Sequence, residues 1–324
     1  MKKIVKQLNA MGAGFSYLSS ILTHRPFLAG MPISAGIEIT NYCNLNCPEC
    51  SSGSDKLTRD RGFMKEELFE KVISEAGPSL YNINLYFQGE PMMHPQFFSF
   101  IDKCGKSGIT VSTNGHFLNE ENAEKLSISG LNKIIVSLDG MDRETYSLYR
   151  QNGEFEKVIR GIKCVSEAIR KTRSSLKLEI QFLVNRYNEK QIPLVKQFAK
   201  EVNAVLKLKS MQVISSKEIE QWIPANEKFR RYRRKKNGIF VPKNSFNNSC
   251  LRLWLNPVIT WDGKVVPCCF DKDAEHIMGD LNKTSFEEIW HGDKFREFRG
   301  SVLKGRRTIE ICRNCTSGLK GVNC

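Results

Sequence analysis

The 324-residue sequence lacks any apolar run that approaches the roughly 20 residues needed to cross a bilayer. It also lacks internal repeats and low-complexity tracts. The N-terminus places Lys2 and Lys3 ahead of a mildly apolar stretch, as a signal peptide does, but serines interrupt that stretch and no small-residue cleavage site follows it. We therefore expect residues 1–32 to form an amphipathic surface helix and expect no transmembrane segment.

Cysteine is present in a number, eleven, that a short secreted protein would use for disulfides. A chain of this length with 40% hydrophobic residues buries a large core without such bridges. The clustered spacing of the cysteines instead indicates metal binding in a reducing compartment, which predicts a cytoplasmic location. The net charge of +14 admits polyanionic partners, although charge alone is more often a property of the surface.

Short β-branched runs alternate with helical patterns from residue 36 to residue 213. The predicted strands are 36–40, 83–87, 109–113, 133–139, 176–184 and 204–213, and the predicted helices are 64–77, 95–107, 119–128, 154–170 and 188–203. This alternation predicts parallel βαβ units with right-handed crossovers. Six units are too few for a closed eight-stranded barrel, so we expect an α/β fold with a partial (β/α)6 TIM-like barrel.

The pattern predicts four segments along the chain. Residues 1–32 form the N-terminal helical segment, 33–213 the partial barrel, 214–249 a basic linker with a helix, and 250–324 a small cysteine-rich domain. In the last segment an Asp-Gly pair between two apolar runs, within 257–269, predicts a hairpin turn. The basic run 228–236 either contacts RNA, phosphate or an acidic peptide, or is a charged linker helix.

The sequence CNLNCPEC places Cys43, Cys47 and Cys50 in one loop after the first predicted strand. A [4Fe–4S] cluster is usually held by four thiolates, so three leave one iron with open coordination positions. Carboxyl ends of barrel strands are where such folds carry out their chemistry. Taken alone, the three cysteines are also compatible with half of a zinc site.

The Cys-x3-Cys-x2-Cys pattern resembles the signature of radical S-adenosylmethionine (SAM) enzymes. Further short motifs resemble SAM contacts of that family and follow successive predicted strands. The resemblance implies that SAM is bound by residues at these strand ends: Gln88, Gly89, Glu90, Ser112, Asn114, Ser137 and Asp139. By the same resemblance, Gln181, Asn185 and Met211 line the SAM pocket or the substrate pocket. Glu49 departs from the family, which often has an aromatic residue there, and this puts the adenine pocket in doubt.

The C-terminal cysteines offer a second metal site. Cys250, Cys268, Cys312 and Cys315 resemble the ligands of the auxiliary-cluster extension called SPASM or, in its shorter form, Twitch. This resemblance implies one auxiliary [4Fe–4S] cluster, with Cys269 as a rival to Cys268 and with Cys324 spare. A zinc ribbon uses the same ligand set.

The resemblance implies an enzyme that reductively cleaves SAM at a [4Fe–4S] cluster and uses the 5′-deoxyadenosyl radical to abstract hydrogen from a substrate. The expected net reaction is an oxidation or modification of a peptide, a protein side chain or a carbohydrate-like small molecule, with the auxiliary cluster as electron acceptor. The expected electron donor is a flavodoxin or a ferredoxin, and nucleic acid is not an expected partner. No catalytic acid or base is assigned; Glu49, Tyr86, His94 and His116 are candidates by position. The alternative is a non-enzymatic zinc protein associated with nucleic acid.

Overall fold

The computed structural model describes residues 2–213, 218–243 and 247–315. The chain divides into two compact units, each assembled from separated stretches of sequence. Within the described residues, the first unit comprises 2–42, 58–109 and 247–315, and the second comprises 43–57, 110–213 and 218–243. The C-terminal cysteine-rich region therefore belongs to the same compact unit as the first predicted strands, which the linear order of the sequence does not reveal.

The first unit holds one mixed sheet in the strand order β11–β10–β9–β1–β2. Its strands are β1 (Ser34–Ile37), β2 (Asn82–Asn84), β9 (Val258–Ile259), β10 (Lys264–Val266) and β11 (Gly279–Asp280). Strand β1 pairs in parallel with β2 and with β9. The predicted Asp-Gly hairpin is confirmed: β9 and β10 are antiparallel, and Gly263 takes a φ of +86° at the turn between them.

Seven helices are described in the first unit. They are α1 (Lys2–Thr23), α2 (Glu66–Ala76), α3 (Phe97–Lys103), α9 (Arg252–Leu255), α10 (Phe286–His291), α11 (Asp293–Gly305) and α12 (Glu310–Arg313). Helix α2 forms as expected. Glu66 and Glu67 lie in its first turn, where negative charge interacts favourably with the helix dipole, and its apolar face buries Phe69 and Val72. Helix α10 begins with a capping box between Ser285 and Glu288.

The second unit contains the parallel strands in the order β3–β4–β5–β6. They are β3 (Gly108–Thr113), β4 (Lys133–Ser137), β5 (Lys177–Val184) and β6 (Val205–Ser210). The helices between and after them are α4 (Glu120–Ile128), α5 (Arg143–Tyr149), α6 (Phe155–Thr172), α7 (Ile192–Glu201) and α8 (Ile219–Trp222). Every pairing among these four strands is parallel, which confirms the predicted βαβ connectivity.

Two features of the second unit differ from the sequence analysis. Helix α5 was missed because it is only seven residues long; its signal was Asp142, whose carboxylate caps the helix by accepting from Thr145 N. The basic run is not a charged helix. It forms a 3-10 turn (Glu227–Phe229) and then β7 (Tyr232–Arg234), which pairs antiparallel with β8 (Phe240–Pro242). The buried ring of Tyr232 requires a strand here, because its hydroxyl bonds both N and O of Val213.

Candidate functional site

The three-cysteine loop is held by its own backbone and by a neighbouring turn. Cys50 N donates to Cys47 O at 3.1 Å, and both N and Oγ of Ser54 donate to Cys50 O at 2.8 Å. Asn46 N donates to Gln151 O at 3.0 Å. Cys47 is 3% exposed, whereas Cys43 and Cys50 are half-buried. The loop is therefore a fixed structure with one thiol inside and two near its surface.

An apolar cluster of the second unit packs against this loop. It comprises Leu45, Cys47, Tyr149, Met211, Val213, Ile219, Trp222 and Tyr232, with Cys43, Cys50, Leu183, Ile223 and Phe240 packed against it. This apolar cluster keeps water from the buried side of the thiols. Burial raises the pKa of the Cys47 thiol to about 12, a rise that the Arg150 guanidinium opposes. A thiolate at Cys47 therefore needs further positive charge, such as iron provides.

Arg150 is a residue of the site that the sequence analysis did not identify. Its Nη1 donates to Cys47 Sγ at 3.8 Å, and its Nε and Nη2 both lie 2.6 Å from Asp139 Oδ2. Asp139 is fully buried, and its other oxygen accepts from Leu183 N at 2.6 Å. Asp139, predicted as a SAM contact, therefore orients the arginine that contacts Cys47. The only available signal was its position at the end of α5, an element that was itself missed.

Asn114 joins the end of β3 to the same loop. Its Nδ2 donates to Asn44 Oδ1 at 2.7 Å and lies 3.9 Å from Cys43 Sγ. Its Oδ1 accepts from His116 N at 3.0 Å. The amide is thus held in one orientation, with its NH₂ group directed at the first cysteine.

The donor set fits a [4Fe–4S] cluster. Three cysteines lie in one loop, and two of their sulfur atoms have N–H groups directed at them, as cluster thiolates commonly do. In the described part of the chain, no group of three or more His, Cys, Asp or Glu side chains is gathered as for a single metal ion. A cubane binds each thiolate through a different iron, so its ligands need not approach one another as the ligands of one zinc ion do.

The Gly-Glu motif, in the first unit, is built around a glycine that no other residue can replace without strain. Gly89 has a φ of +76°, and a Cβ there would lie 2.6 Å from Tyr42 O. Glu90 N donates to Tyr42 O at 2.7 Å, so the motif is fastened to the residue before Cys43 in the chain. The Glu90 carboxylate is 1% exposed and accepts from Met92 N at 3.1 Å. Gln88 is also buried.

The remaining predicted SAM contacts lie on or after the second unit's strands. Ser137 on β4 is paired with Gln181 on β5, and Ser112 lies on β3. Asn185 closes the turn after β5, where its Oδ1 accepts from Tyr187 N at 2.9 Å. Met211 follows β6 in the apolar cluster beside the cysteines. The assignment of all ten residues to the SAM or substrate pocket stays a prediction.

The candidate acids and bases have structural partners. His94 Nε2 lies 3.0 Å from Met64 O and its Nδ1 accepts from Gln96 N. His116 Nε2 accepts from Glu154 N at 2.8 Å. Burial lowers the pKa of both imidazoles, which favours their neutral forms. Glu49 is 4% exposed and hydrogen-bonds Glu218, and Tyr86 is half-buried at the end of β2.

The auxiliary cysteines lie in the first unit around two arginines. Arg306 Nη2 donates to Cys315 Sγ at 3.3 Å, and Arg252 Nη1 donates to Cys269 Sγ at 2.9 Å. Cys268 and Cys312 are buried, and Cys250 is half-buried. The pKa of Arg252 is raised, most strongly by the nearby Cys269. Burial opposes this rise, and Cys268, Cys315 and Cys250 add smaller contributions to it. Cys324 lies outside the described residues. The two arginines were not predicted, because neither belongs to a motif that the sequence analysis used.

Comparison with known proteins identifies the family. Residues 37–178 match the model of the radical SAM superfamily, and residues 250–316 match that of SPASM, an iron–sulfur cluster-binding domain. The chain belongs to the radical SAM superfamily and carries a SPASM domain. This confirms the resemblance drawn from the cysteine spacing, and it does not support the zinc protein associated with nucleic acid.

Relatives of known name carry out different reactions. A probable GTP 3′,8-cyclase of Methanocaldococcus jannaschii is 31% identical over 204 residues, which are 61% of this chain and 62% of that protein. An AdoMet-dependent heme synthase of Methanosarcina barkeri is 26% identical over 343 residues, covering 91% of this chain and 92% of the relative. The chain thus spans somewhat less than two thirds of the first relative and nearly all of the second.

Solved structures confirm the TIM-like fold. SuiB of Streptococcus suis, bound to S-adenosylmethionine, superposes with a TM-score of 0.65 at 14% identity, covering 94% of this chain and 76% of SuiB. BtrN in complex with AdoMet and 2-DOIA superposes with a TM-score of 0.55 at 18% identity, covering 90% of this chain and 95% of BtrN. In the described residues, no helix is long and apolar enough to cross a membrane.

Proposed function

We propose that this chain cleaves SAM reductively at a [4Fe–4S] cluster held by Cys43, Cys47 and Cys50. The observation that carries the proposal is the loop itself: three thiols against one apolar cluster, with Arg150 and Asn114 directing N–H groups at two of them. When bound, the cluster and SAM supply one-electron cleavage of the sulfonium and a 5′-deoxyadenosyl radical that takes a hydrogen atom from the substrate.

The residues of the chain have three tasks in this proposal. The apolar cluster excludes water from the buried side of the cysteines. Leu183 N donates to the Asp139 carboxylate, and Asp139 in turn holds Arg150 so that a positive charge lies beside Cys47. Reduction adds negative charge to a cluster, and a nearby cation favours the reduced form. Gly89, whose positive φ only a glycine adopts without strain, presents the backbone of the Gly-Glu motif, where we propose that SAM is bound.

We propose further that Cys250, Cys268, Cys312 and Cys315 hold one auxiliary [4Fe–4S] cluster that accepts the substrate's electron, which makes the net reaction an oxidation. Support comes from Arg306 and Arg252, whose positive charges favour uptake of an electron by a cluster at these cysteines. The proposed substrates are a peptide, a protein side chain or a carbohydrate-like small molecule. The proposed electron donor is a flavodoxin or a ferredoxin, in a reducing, cytoplasmic environment.

The test measures 5′-deoxyadenosine after anaerobic incubation with SAM and dithionite. We expect the product from the wild-type chain and none from the variant with Cys43, Cys47 and Cys50 changed to Ala. A matched control, Cys104→Ala with Cys164→Ala, changes the cysteine that follows α3 and the cysteine within α6, and it should leave the yield unchanged. Equal product from the three-cysteine variant would refute the assignment.

The substrate class is distinguished by isotope transfer. Deuterium moves into 5′-deoxyadenosine only from a molecule whose C–H bond is broken, so labelled peptides and labelled carbohydrate-like molecules are compared one by one. If a deuterated product forms and the variant lacking Cys312 and Cys315 still turns over with the same net oxidation, the proposed role of the auxiliary cluster as electron acceptor is wrong.

A further inference from the structure

Helix α1 shows a reversed arrangement of polar and apolar residues. Its small and polar residues are turned inward: Ala13, Ser16 and Ser20 are 0% exposed. Its large apolar residues are turned outward, and each exposes 60–82% of its surface. These outward residues form what we call the α1 seam: Ile4, Leu8, Met11, Phe15, Leu18 and Leu22. An ordinary surface helix buries its apolar face, so this face serves something other than the core of this chain.

Hydrogen bonds attach the inward face of α1 to the body of the chain, and they keep the α1 seam directed outward. Ser16 Oγ accepts from Ala29 N at 2.7 Å, and Ser20 Oγ accepts from Phe27 N at 2.8 Å. The backbones approach so closely that a Cβ on Gly12 would lie 2.9 Å from Ala29 O. The helix therefore cannot rotate to bury the seam without losing these hydrogen bonds.

The seam is long, continuous and without charge. Its residues recur at alternating intervals of four and three, so they form one stripe along a helix of 22 residues, which is about 33 Å long. Together they present on the order of 800 Å² of apolar surface, more than the ~300–600 Å² of the largest patch on a typical monomer. A patch of this size marks an interaction surface.

Charge decides between the two occupants that fit such a stripe, a second copy of the chain and a lipid surface. Residues 1–37 contain the basic residues Lys2, Lys3 and Arg25, besides Lys6, whose Nζ donates to Leu80 O of the body, and the first acidic residue of the sequence is Glu38. A second α1 would bring only further basic residues to this region, with no acidic residue to pair with them. Anionic lipid headgroups would complement both the basic residues and the apolar stripe. The net charge of +14 acts in the same direction.

We propose that α1 lies in the surface of an anionic lipid bilayer, with the α1 seam inserted among the headgroups and the body of the enzyme held outside. This goes beyond the proposed reaction and does not depend on it. The chain would then act at a membrane surface, and its substrate or its partner would be available there.

The test is sedimentation of the anaerobically purified full chain with vesicles of phosphatidylcholine alone, or with vesicles containing about one third phosphatidylglycerol. We expect at least ~10-fold tighter binding to the anionic vesicles, weakening as salt is added. Replacing Met11, Phe15 and Leu18 with Gln removes apolar surface from the middle of the seam and should weaken binding ~100-fold.

A matched control replaces three exposed apolar residues of the second unit, Ile128, Leu194 and Val205, with Gln. It should bind vesicles as the wild type does. Iron content and circular dichroism show whether each variant is folded; the single variant Met11→Gln, at a residue 71% exposed, gives a milder version of the same test, with ~5-fold weaker binding expected.

Three outcomes would overturn the proposal. One is equal or undetectable binding to the two kinds of vesicle. Another is wild-type binding by the folded seam variant. The third is light scattering that shows a lipid-free dimer which the seam variant converts to a monomer, since the occupant would then be a second copy of the chain.

Discussion

Replacing Arg150 with Met removes a buried positive charge from beside Cys47. Asp139 would then be buried without its cation, which costs about 3–5 kcal/mol of folding stability when one partner of a buried pair is removed. The informative variant therefore combines Arg150→Met with Asp139→Asn, so that both charges disappear and Leu183 N keeps an acceptor. What this double variant loses beside the sulfur is the N–H group at 3.8 Å.

The magnitude follows from the contact. A hydrogen bond to a charged group contributes about 1.5–3 kcal/mol. Part of this stabilisation also acts on the oxidised cluster, because its thiolates are already anionic, and only the remainder changes the midpoint potential. At ~59 mV for each tenfold change in a one-electron equilibrium, we expect the midpoint potential to fall by roughly 50–100 mV. In the single variant Arg150→Met the midpoint potential should fall further, because the negative charge of Asp139 remains in place.

The assay is an anaerobic potentiometric titration that follows the electron paramagnetic resonance signals of the reduced clusters. The matched control is Arg306→Met, which removes the N–H group from Cys315 and should shift the signal of the other cluster. The contact predicts a shift several times larger than ~10 mV. If the folded double variant keeps the wild-type midpoint potential to within ~10 mV, Arg150 does not act on the cluster and our account of this contact is wrong.

Three further predictions follow from single residues. Gly89→Ala should destabilise the fold by about 2 kcal/mol or more and abolish SAM binding measured by calorimetry, because the residue has a positive φ and its Cβ would lie 2.6 Å from Tyr42 O. The control Gly14→Ala, with open space around its Cβ, should leave SAM binding intact and raise the melting temperature slightly. Unchanged stability and SAM binding in Gly89→Ala would contradict the geometry described for the motif. Burial lowers the pKa of His116 in the folded state, so its contribution to stability is present above the unfolded pKa and is lost as the pH falls through the folded value. Melting temperatures measured from pH 7 to pH 5 should therefore decline less steeply in His116→Gln, and equal slopes would exclude this role. Cys268→Ala should lose the auxiliary cluster's iron while Cys269→Ala keeps it, and the reverse result by iron analysis would make Cys269 the ligand.

The elements predicted with most success were those with long apolar patterns. Strands β3 to β6 and helix α6 agree with their predicted positions to within three residues at either end, a margin usual for element boundaries. Periodicity failed where an element was short or held by one contact. Helix α5 has too few residues to display a period, and β7 is a strand because the buried Tyr232 hydroxyl bonds Val213, a residue 19 positions away.

For the site, local sequence was enough to single out the cysteine loop and the Gly-Glu motif as candidates, because the residues of each are neighbours in the chain. Sequence also showed the α1 helix, but not that its apolar stripe faces outward. Which face is buried depends on hydrogen bonds from residues 27–29, and a helical period does not contain that information.

The sequence by itself determined the family, the ligand types and the alternation of strands and helices, since each depends on residues close together in the chain. Only the tertiary structure decided that Arg150 meets Cys47 across 103 residues, that Arg306 lies against Cys315, and that β9 pairs with β1. These contacts join residues that folding brings together through burial of a shared core. No local pattern specifies such partners, because the free energy of forming them comes from the packing of the whole unit.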